Sequence, residues 1–445
     1  MSYDDNMTRE NEMKDTIKHT KRVYYTLLFI FWFATGLPAA LTVLLMLARG
    51  LTLYQVSILM AIYSVTIVLL EVPTGGLADA IGRKKVALFA YGFMLLSSIA
   101  MLLAFSFPVF MLGWVLYGIG RALASGAMEA WFIDQLQASQ ADIDLQSVIA
   151  QGNTFILLGL GLGLFAGSGM SQALKNLPPD GTAILTPYSI PIAMAAVVMM
   201  VLLGVTLSLV KEKISRSQAF SAKQALKDTK TILKTGFDLS RKSRVIPLLM
   251  GASFMLGIAM TNLETFWQPH FSGLMDEHNR NNLMFGVIEG GSFAIGILGN
   301  QFSIPLKRWL GGRLGWMCAL MQLLWGSGMV ILASQSVLLP GIAFYWIVRF
   351  AISAHDSPHM ALLNNEIPSE QRSAMLSISS MVAYLGVILG SLLMGLLAEI
   401  YGITTVWAID GILLVGAVLF YGRIEKVLQQ GQDQIQVTRE EEAYV

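Results

Sequence analysis

The chain is short of charge. Asp, Glu, Lys and Arg make up only 13% of its 445 residues, about half the share of an ordinary soluble protein, which argues against a water-soluble enzyme. Cysteine is scarcer still. Cys318 is the single thiol, so neither an internal disulfide framework nor a multi-cysteine metal site can be built. Nor is there an excess of either sign, because 30 basic residues against 29 acidic ones leave a formal charge of +1. A protein that neutralises many phosphates carries a basic surplus, so nucleic acid is not an expected partner. Neither a G-x-x-x-x-G-K-[ST] phosphate loop nor an H-E-x-x-H pair occurs, which removes ATP-driven transport by this chain alone and zinc-protease chemistry. No cluster of reactive side chains suggests an enzyme, and no cofactor is expected.

What remains is hydrocarbon. Residues of the hydrophobic class make up 55% of the chain and the mean hydropathy is +0.61. A bilayer core needs about 20 apolar residues per spanning helix. That ruler predicts an all-α membrane protein with twelve spans, near 23–48, 53–73, 85–105, 108–133, 146–174, 186–210, 245–271, 282–305, 313–334, 339–362, 372–398 and 403–422. Residues 1–22 are polar and too acidic at their start for a secretory signal peptide. With the N-terminus inside, 25 of the 30 basic residues fall on the cytoplasmic side and only Arg49, Lys175 and Arg280 outside. This imbalance is the positive-inside pattern and predicts two cytoplasmic termini.

The predicted organisation is a cytoplasmic tail (1–22), a six-helix bundle (23–210), a basic cytoplasmic linker (211–244), a second six-helix bundle (245–422) and a C-terminal tail (423–445). The linker holds ten basic and three acidic residues. It suits either a helix lying on the anionic leaflet or a solvated connector. The halves repeat in layout. GGLADAIGRKK (75–85) follows the second span and LKRWLGGRLG (306–315) follows the eighth, while Arg121 and Arg349 fall in the middle of the fourth and tenth. Two pseudo-symmetric six-helix bundles around a central cavity are a transporter architecture.

Gly75-Gly76-Leu77-Ala78-Asp79-Ala80-Ile81-Gly82-Arg83-Lys84-Lys85 resembles the loop signature G-x-L-a-D-r-x-G-r-k of the major facilitator superfamily. It departs only at Ala80, where the pattern has a basic residue. The resemblance extends over about residues 20–425 and implies a monomeric secondary transporter of a small molecule in a bacterial inner membrane. It also implies that Gly75, Asp79, Gly82 and Arg83 gate the conformational change. On the residues alone, the glycines permit tight turns and Asp79 is placed to pair with Arg83; a loop that merely signals topology is the alternative. Arg121-Ala-Leu-Ala-Ser-Gly126 is similar to the R-x-x-x-G element of proton-coupled members, with one residue more between Arg and Gly. The fifth span carries Gly159, Gly161, Gly163, Gly167 and Gly169, like the antiporter branch, but lacks its G-P dipeptide. Close helix packing explains those glycines equally well. GAMEAWFIDQL (126–136) and NNEIPSEQRSAMLSISS (364–380) resemble helix ends of bacterial drug-efflux members, which implies drug:proton antiport.

Ionisable residues within spans are costly and therefore functional candidates. Arg121, Ser125 and Glu129 recur at intervals of four, so they share one helix face and serve either a cavity or a structural ion pair. Glu264 stands in TNLETFWQPH beside Asn262, Trp267 and Gln268. An apolar helix disfavours a carboxylate's charged form, the property of a proton carrier, and the aromatic neighbours suit an amphipathic guest. Pro269 and His270, however, suggest the span is ending there, which would leave Glu264 at the rim. Glu289, followed by Gly290 and Gly291, is a similar case. Arg349 and Asp356 are seven apart and could pair on one face; His355 and His359 flank Pro358 and make at most half of a metal site, so no metal is expected. Asp134, Glu71, Glu399 and Asp410 read as helix-end, gate or rim residues.

The substrate and proton pathway is therefore expected to use Arg121, Glu129, Glu264, Trp267, Glu289, Arg349 and Asp356. The expected function is proton-coupled export of a small amphipathic molecule by alternating access. Uptake of a metabolite or organic anion held by Arg121 and Arg349 is the alternative. A non-transporting sensor on the same architecture is a third reading, marked by loss of the Asp79–Arg83 gate or by a large added domain.

Overall fold

The computed structural model describes residues 3–138, 144–178, 181–212, 240, 241, 243–275, 281–368 and 371–443. All regular structure among them is helical. The first half contains α1 (Tyr3–Ala39), α2 (Thr42–Ala48), α3 (Leu53–Ile81), α4 (Arg83–Leu102), α5 (Phe107–Ala124), α6 (Ala127–Ala138), α7 (Leu145–Ala173) and α8 (Ile190–Leu209). The second contains α9 (Ile246–Leu274), α10 (Leu283–Trp309), α11 (Leu314–Ala333), α12 (Leu338–Glu366), α13 (Arg372–Tyr401) and α14 (Ile403–Ala443). With α1–α2 and α5–α6 each taken as one span, twelve helices among the described residues are long and apolar enough to cross a bilayer. The greater part of the predicted linker lies outside the described residues.

Two of the predicted spans are interrupted. The first breaks after Pro38, which lies in the last turn of α1. The fourth breaks at Ser125 (ψ 114°) and Gly126 (φ +74°). The left-handed backbone at Gly126 costs glycine little and any side chain more, which is why the break falls there. The seventh span differs in the other direction, because α9 runs on through Pro269 to Leu274 and leaves Glu264 well inside the helix.

The chain forms two compact units, one of residues 1–51, 62–226 and 281–287, the other of 52–61, 227–280 and 288–445. Their internal packings correspond pair by pair. In the first unit α1 packs on α7 and α8, and α4 packs on α5 and α8; in the second α9 packs on α13 and α14, and α11 packs on α12 and α14. The repeat expected from the turn motifs thus holds at the level of helix pairs. Each unit also has helix crossings made by glycine. A Cβ on Gly163 or Gly167 would strike the Phe33 or Leu37 carbonyl of α1, and one on Gly257 or Gly386 would strike the Ala383 carbonyl of α13 or the Phe254 carbonyl of α9. The glycine run of the fifth span is therefore a close-packing surface: Gly159, Gly163 and Gly167 meet α1, while Gly161 and Gly169 face open space.

Arg49, which as sequence is only an outer-loop charge, is a buried staple of the first unit. Its guanidinium donates to the carbonyls of Met101 (3.0 Å), Leu102 (3.0 Å) and Ala104 (2.7 Å) at the end of α4, and to Ile184 (3.1 Å). It lies 4.4 Å from the Phe105 ring centre. Burial pulls its pKa below the usual arginine value, and the carbonyls at the end of α4 hold the charge in place.

Candidate functional site

In the first unit the break between α5 and α6 opens onto a cavity of about 300 Å³. Arg121 sits in the last turn of α5 and Glu129 in the first turn of α6, each at the helix end whose dipole favours its charge. Both line the cavity, with Ser125, Gly126 and Asn153 and the aromatic walls Tyr24, Phe31, Trp32 and Tyr91. The Arg121 guanidinium lies 5.1 Å from the Trp32 ring centre and 5.9 Å from that of Phe31, within cation–π range. The expected Arg121–Ser125–Glu129 face does meet a cavity, but by way of a helix break that periodicity does not reveal.

In the second unit Arg349 of α12 pairs with two carboxylates from neighbouring helices, Glu264 of α9 through Nη1 and Glu289 of α10 through Nη2. Its Nε donates to Ser292 Oγ (3.1 Å), and Tyr345 O–H donates to Glu289 (2.7 Å). Glu289 is 7% exposed at its side chain and Glu264 is 41% exposed, so the triad has one sealed carboxylate and one open one. This corrects the expected Arg349–Asp356 pair. Helical spacing puts those two on one face, but the partners that hold Arg349 come from α9 and α10. Trp267 is corrected as well: it is 2% exposed, with its ring 6.1 Å from that of Tyr345, and so packs in the core instead of facing a guest.

Tyr345 and Ser292 are absent from the residues expected from sequence. Their signal is local, since Tyr345 stands one turn before Arg349 and Ser292 three residues after Glu289, spacings at which helix neighbours meet. Of the two α12 histidines, His355 is fully buried and both its ring nitrogens lack a hydrogen-bond partner. His359 bridges Ser253 Oγ (3.1 Å) and Tyr421 O–H (2.7 Å). Among the described residues no group of three His, Cys, Asp or Glu side chains is placed for a metal ion.

The turn between α3 and α4 is tied to α6 and α8. The backbone N–H groups of Arg83 (2.8 Å) and Lys84 (3.0 Å) donate to the Glu212 carboxylate, and Lys84 Nζ donates to the carbonyls of Leu207 (2.8 Å) and Val210 (2.6 Å). Arg83 Nη1 reaches Asp134 at 2.8 Å. Gly82 turns the chain at φ +99°. Asp134 is thus an ion-pair partner and not only a hydrated helix end, and Glu212 is a capping acid that sequence reading passed over. The side chains of Glu71 and Asp79, and the surroundings of Gly75, lie outside the described residues. The corresponding turn of the second unit has a similar device, in which Glu425 of α14 accepts the Gly315 N–H at the start of α11 (3.0 Å). Glu399 accepts the Tyr54 N–H (3.3 Å). Asp410, expected at a rim, is fully buried, because Ile403–Ala443 is one continuous helix whose inner face it occupies.

Twelve apolar spans among the described residues, matching helix pairings in the two units and charged groups held inside each define a polytopic membrane transporter. The model of the Major Facilitator Superfamily matches residues 24–348 and 316–437, and the chain belongs to that superfamily. It is a transporter and not an enzyme. A curated relative, described as an uncharacterized MFS-type transporter, YxaM of Bacillus subtilis (strain 168), is 21% identical over 408 residues, 91% of this chain and 96% of that one. The fold resembles the nucleoside transporter NupG, with TM-score 0.71 at 14% identity, covering 92% of this chain and 98% of that one. It also resembles a bacterial homolog of the human lysosomal transporter Spinster, with TM-score 0.68 at 14% identity, covering 94% and 98%.

Proposed function

We propose that this chain is a proton-coupled secondary transporter that exports a small amphipathic molecule across a bacterial inner membrane as a monomer, with both termini cytoplasmic. The observation that carries the coupling is the Glu264–Arg349–Glu289 triad. Two carboxylates share one guanidinium, so the group carries a formal charge of −1 when both are ionised and is neutral with one proton. Moving a neutral group through an apolar interior costs far less than moving a charged one, which makes the half-open Glu264 the proton carrier and Glu289 its fixed partner. The guest is read from the first unit, where aromatic walls supply area and Arg121 and Glu129 supply charges of both signs. In alternating access one six-helix half rocks against the other, and the Gly75, Asp79, Gly82 and Arg83 turn, with Asp134 and Glu212, would serve as its latch.

Uptake of an organic anion is the second reading, favoured by Arg121 on the cavity wall. It loses support from Arg349, whose charge is already matched twice within the protein. Nucleosides, the substrates named for one structural neighbour, gain no support at 14% identity. The test is transport of labelled cationic, zwitterionic and anionic amphiphiles into proteoliposomes, with and without an imposed pH gradient. The expected result is gradient-driven accumulation of a cationic or zwitterionic compound that a protonophore abolishes. Accumulation indifferent to the gradient rejects coupling, and accumulation of anions alone selects the uptake reading.

A further inference from the structure

The second unit contains a carboxyl group that the triad does not use. Asp410 lies about 10 Å along α14 from its start, has no exposed surface, and receives one hydrogen bond, from Asn262 Nδ2 of α9 to Oδ2 at 2.8 Å. Its other oxygen, Oδ1, is buried without a partner. Asn262 is itself positioned, because its carbonyl accepts the Trp407 indole N–H (3.4 Å) one turn before Asp410. Three helices pack on α14. From α9 come Glu264, which is bound to Arg349, and His270, which lies with its ring 4.6 Å from Trp407 and its Nε2 unpartnered. From α11 comes only Cys318, and from α13 come Arg372, Tyr384, Glu399 and Tyr401. Among the described residues no cation lies within ion-pair distance of Asp410.

An ionised carboxylate here would have a single neutral donor and no exposed surface, an arrangement proteins avoid. A metal cation would need several oxygen ligands, and the cluster offers one free oxygen. We infer that Asp410 and Asn262 form a second proton-binding site of the transporter, separate from the Glu264–Arg349–Glu289 triad and loaded in this conformation. The proton sits on the carboxyl, and Asn262 donates to the oxygen that stays a carbonyl. This assignment stands whether or not the triad couples transport.

Infrared spectroscopy of the full chain in lipid nanodiscs tests it. At neutral pH, when exposed carboxyls are ionised, the wild type should show a C=O stretch of a protonated carboxylic acid that shifts on exchange into heavy water. Asp410→Asn should remove that band while Glu264→Gln retains it. Asn262→Ala should move it to higher frequency by removing the hydrogen bond to the carbonyl, and this second variant keeps the test open if Asp410→Asn fails to fold. Absence of the band at neutral pH, or a band indifferent to both substitutions, overturns the assignment. So does a band that disappears when sodium replaces potassium, which would make the site a cation site.

Discussion

Arg121 and Arg349 occupy equivalent places in the two halves and are solvated in opposite ways. Arg121 ends a helix, lies against the faces of Trp32 and Phe31, and lines a cavity. Arg349 lies within an unbroken helix, nearly buried, with Glu264 and Glu289 on its two terminal nitrogens. Aromatic faces attract a cation without cancelling its charge, whereas two carboxylates more than cancel it. On the proposed reading, the first half offers Arg121 and Glu129 to a guest, and the second keeps its arginine for pairing with Glu264 and Glu289. A duplicated scaffold fixes where a charge sits; its neighbours decide what the charge is for.

Disrupting the triad should do the most damage. Arg349→Ala leaves Glu289 buried without its cation, a loss of about 3–5 kcal/mol, so thermal melting in detergent should drop strongly and transport should vanish. Arg349→Lys should recover only part, since an ammonium lacks the planar fork that holds two carboxylates. Next comes Glu264→Gln, which should leave the fold intact and abolish pH-driven accumulation while exchange down a concentration gradient survives. Glu129→Gln is the matching control in the other half. If the halves divide labour as proposed, it changes affinity and leaves coupling in place; loss of coupling in Glu129→Gln alone would move the proton site to the first half.

Arg121→Ala should abolish transport with a change in stability below about 1 kcal/mol, because a cation–π contact is worth about 0.5–2 kcal/mol and water in the cavity replaces part of it. Unchanged transport by this variant would make Arg121 structural. The turn between α3 and α4 should give the weakest responses. Glu212→Ala removes a carboxylate from the start of α4 and should cost about 1–2 kcal/mol, read as a lower melting temperature. Asp134→Asn removes a half-exposed ion pair worth at most about 1 kcal/mol; it should leave melting nearly unchanged and alter only the rate of transport.

Much of this was legible in the residues. Apolar run length marks a spanning helix whatever its neighbours, so the twelve spans read correctly, and the paired turn motifs with Arg121 and Arg349 disclosed the repeat. The misreadings share one cause. Reasoning along a single helix pairs Arg349 with Asp356 and puts Asp410 at a gate or rim. The true partners, Glu264 and Glu289 for Arg349 and Asn262 for Asp410, lie 85, 60 and 148 residues away in sequence.

Local composition was enough to set the solvent of this protein and the number of its spans, because hydropathy and helical rise need no knowledge of neighbours. Which charges meet, where the fourth span breaks at Gly126, and that Asp410 is sealed among helices were settled by packing in three dimensions. A buried polar group must find its partner through space, and helices of equal apolarity can be assembled in many ways until glycine contacts such as Gly167 on Leu37 and Gly386 on Phe254 select one.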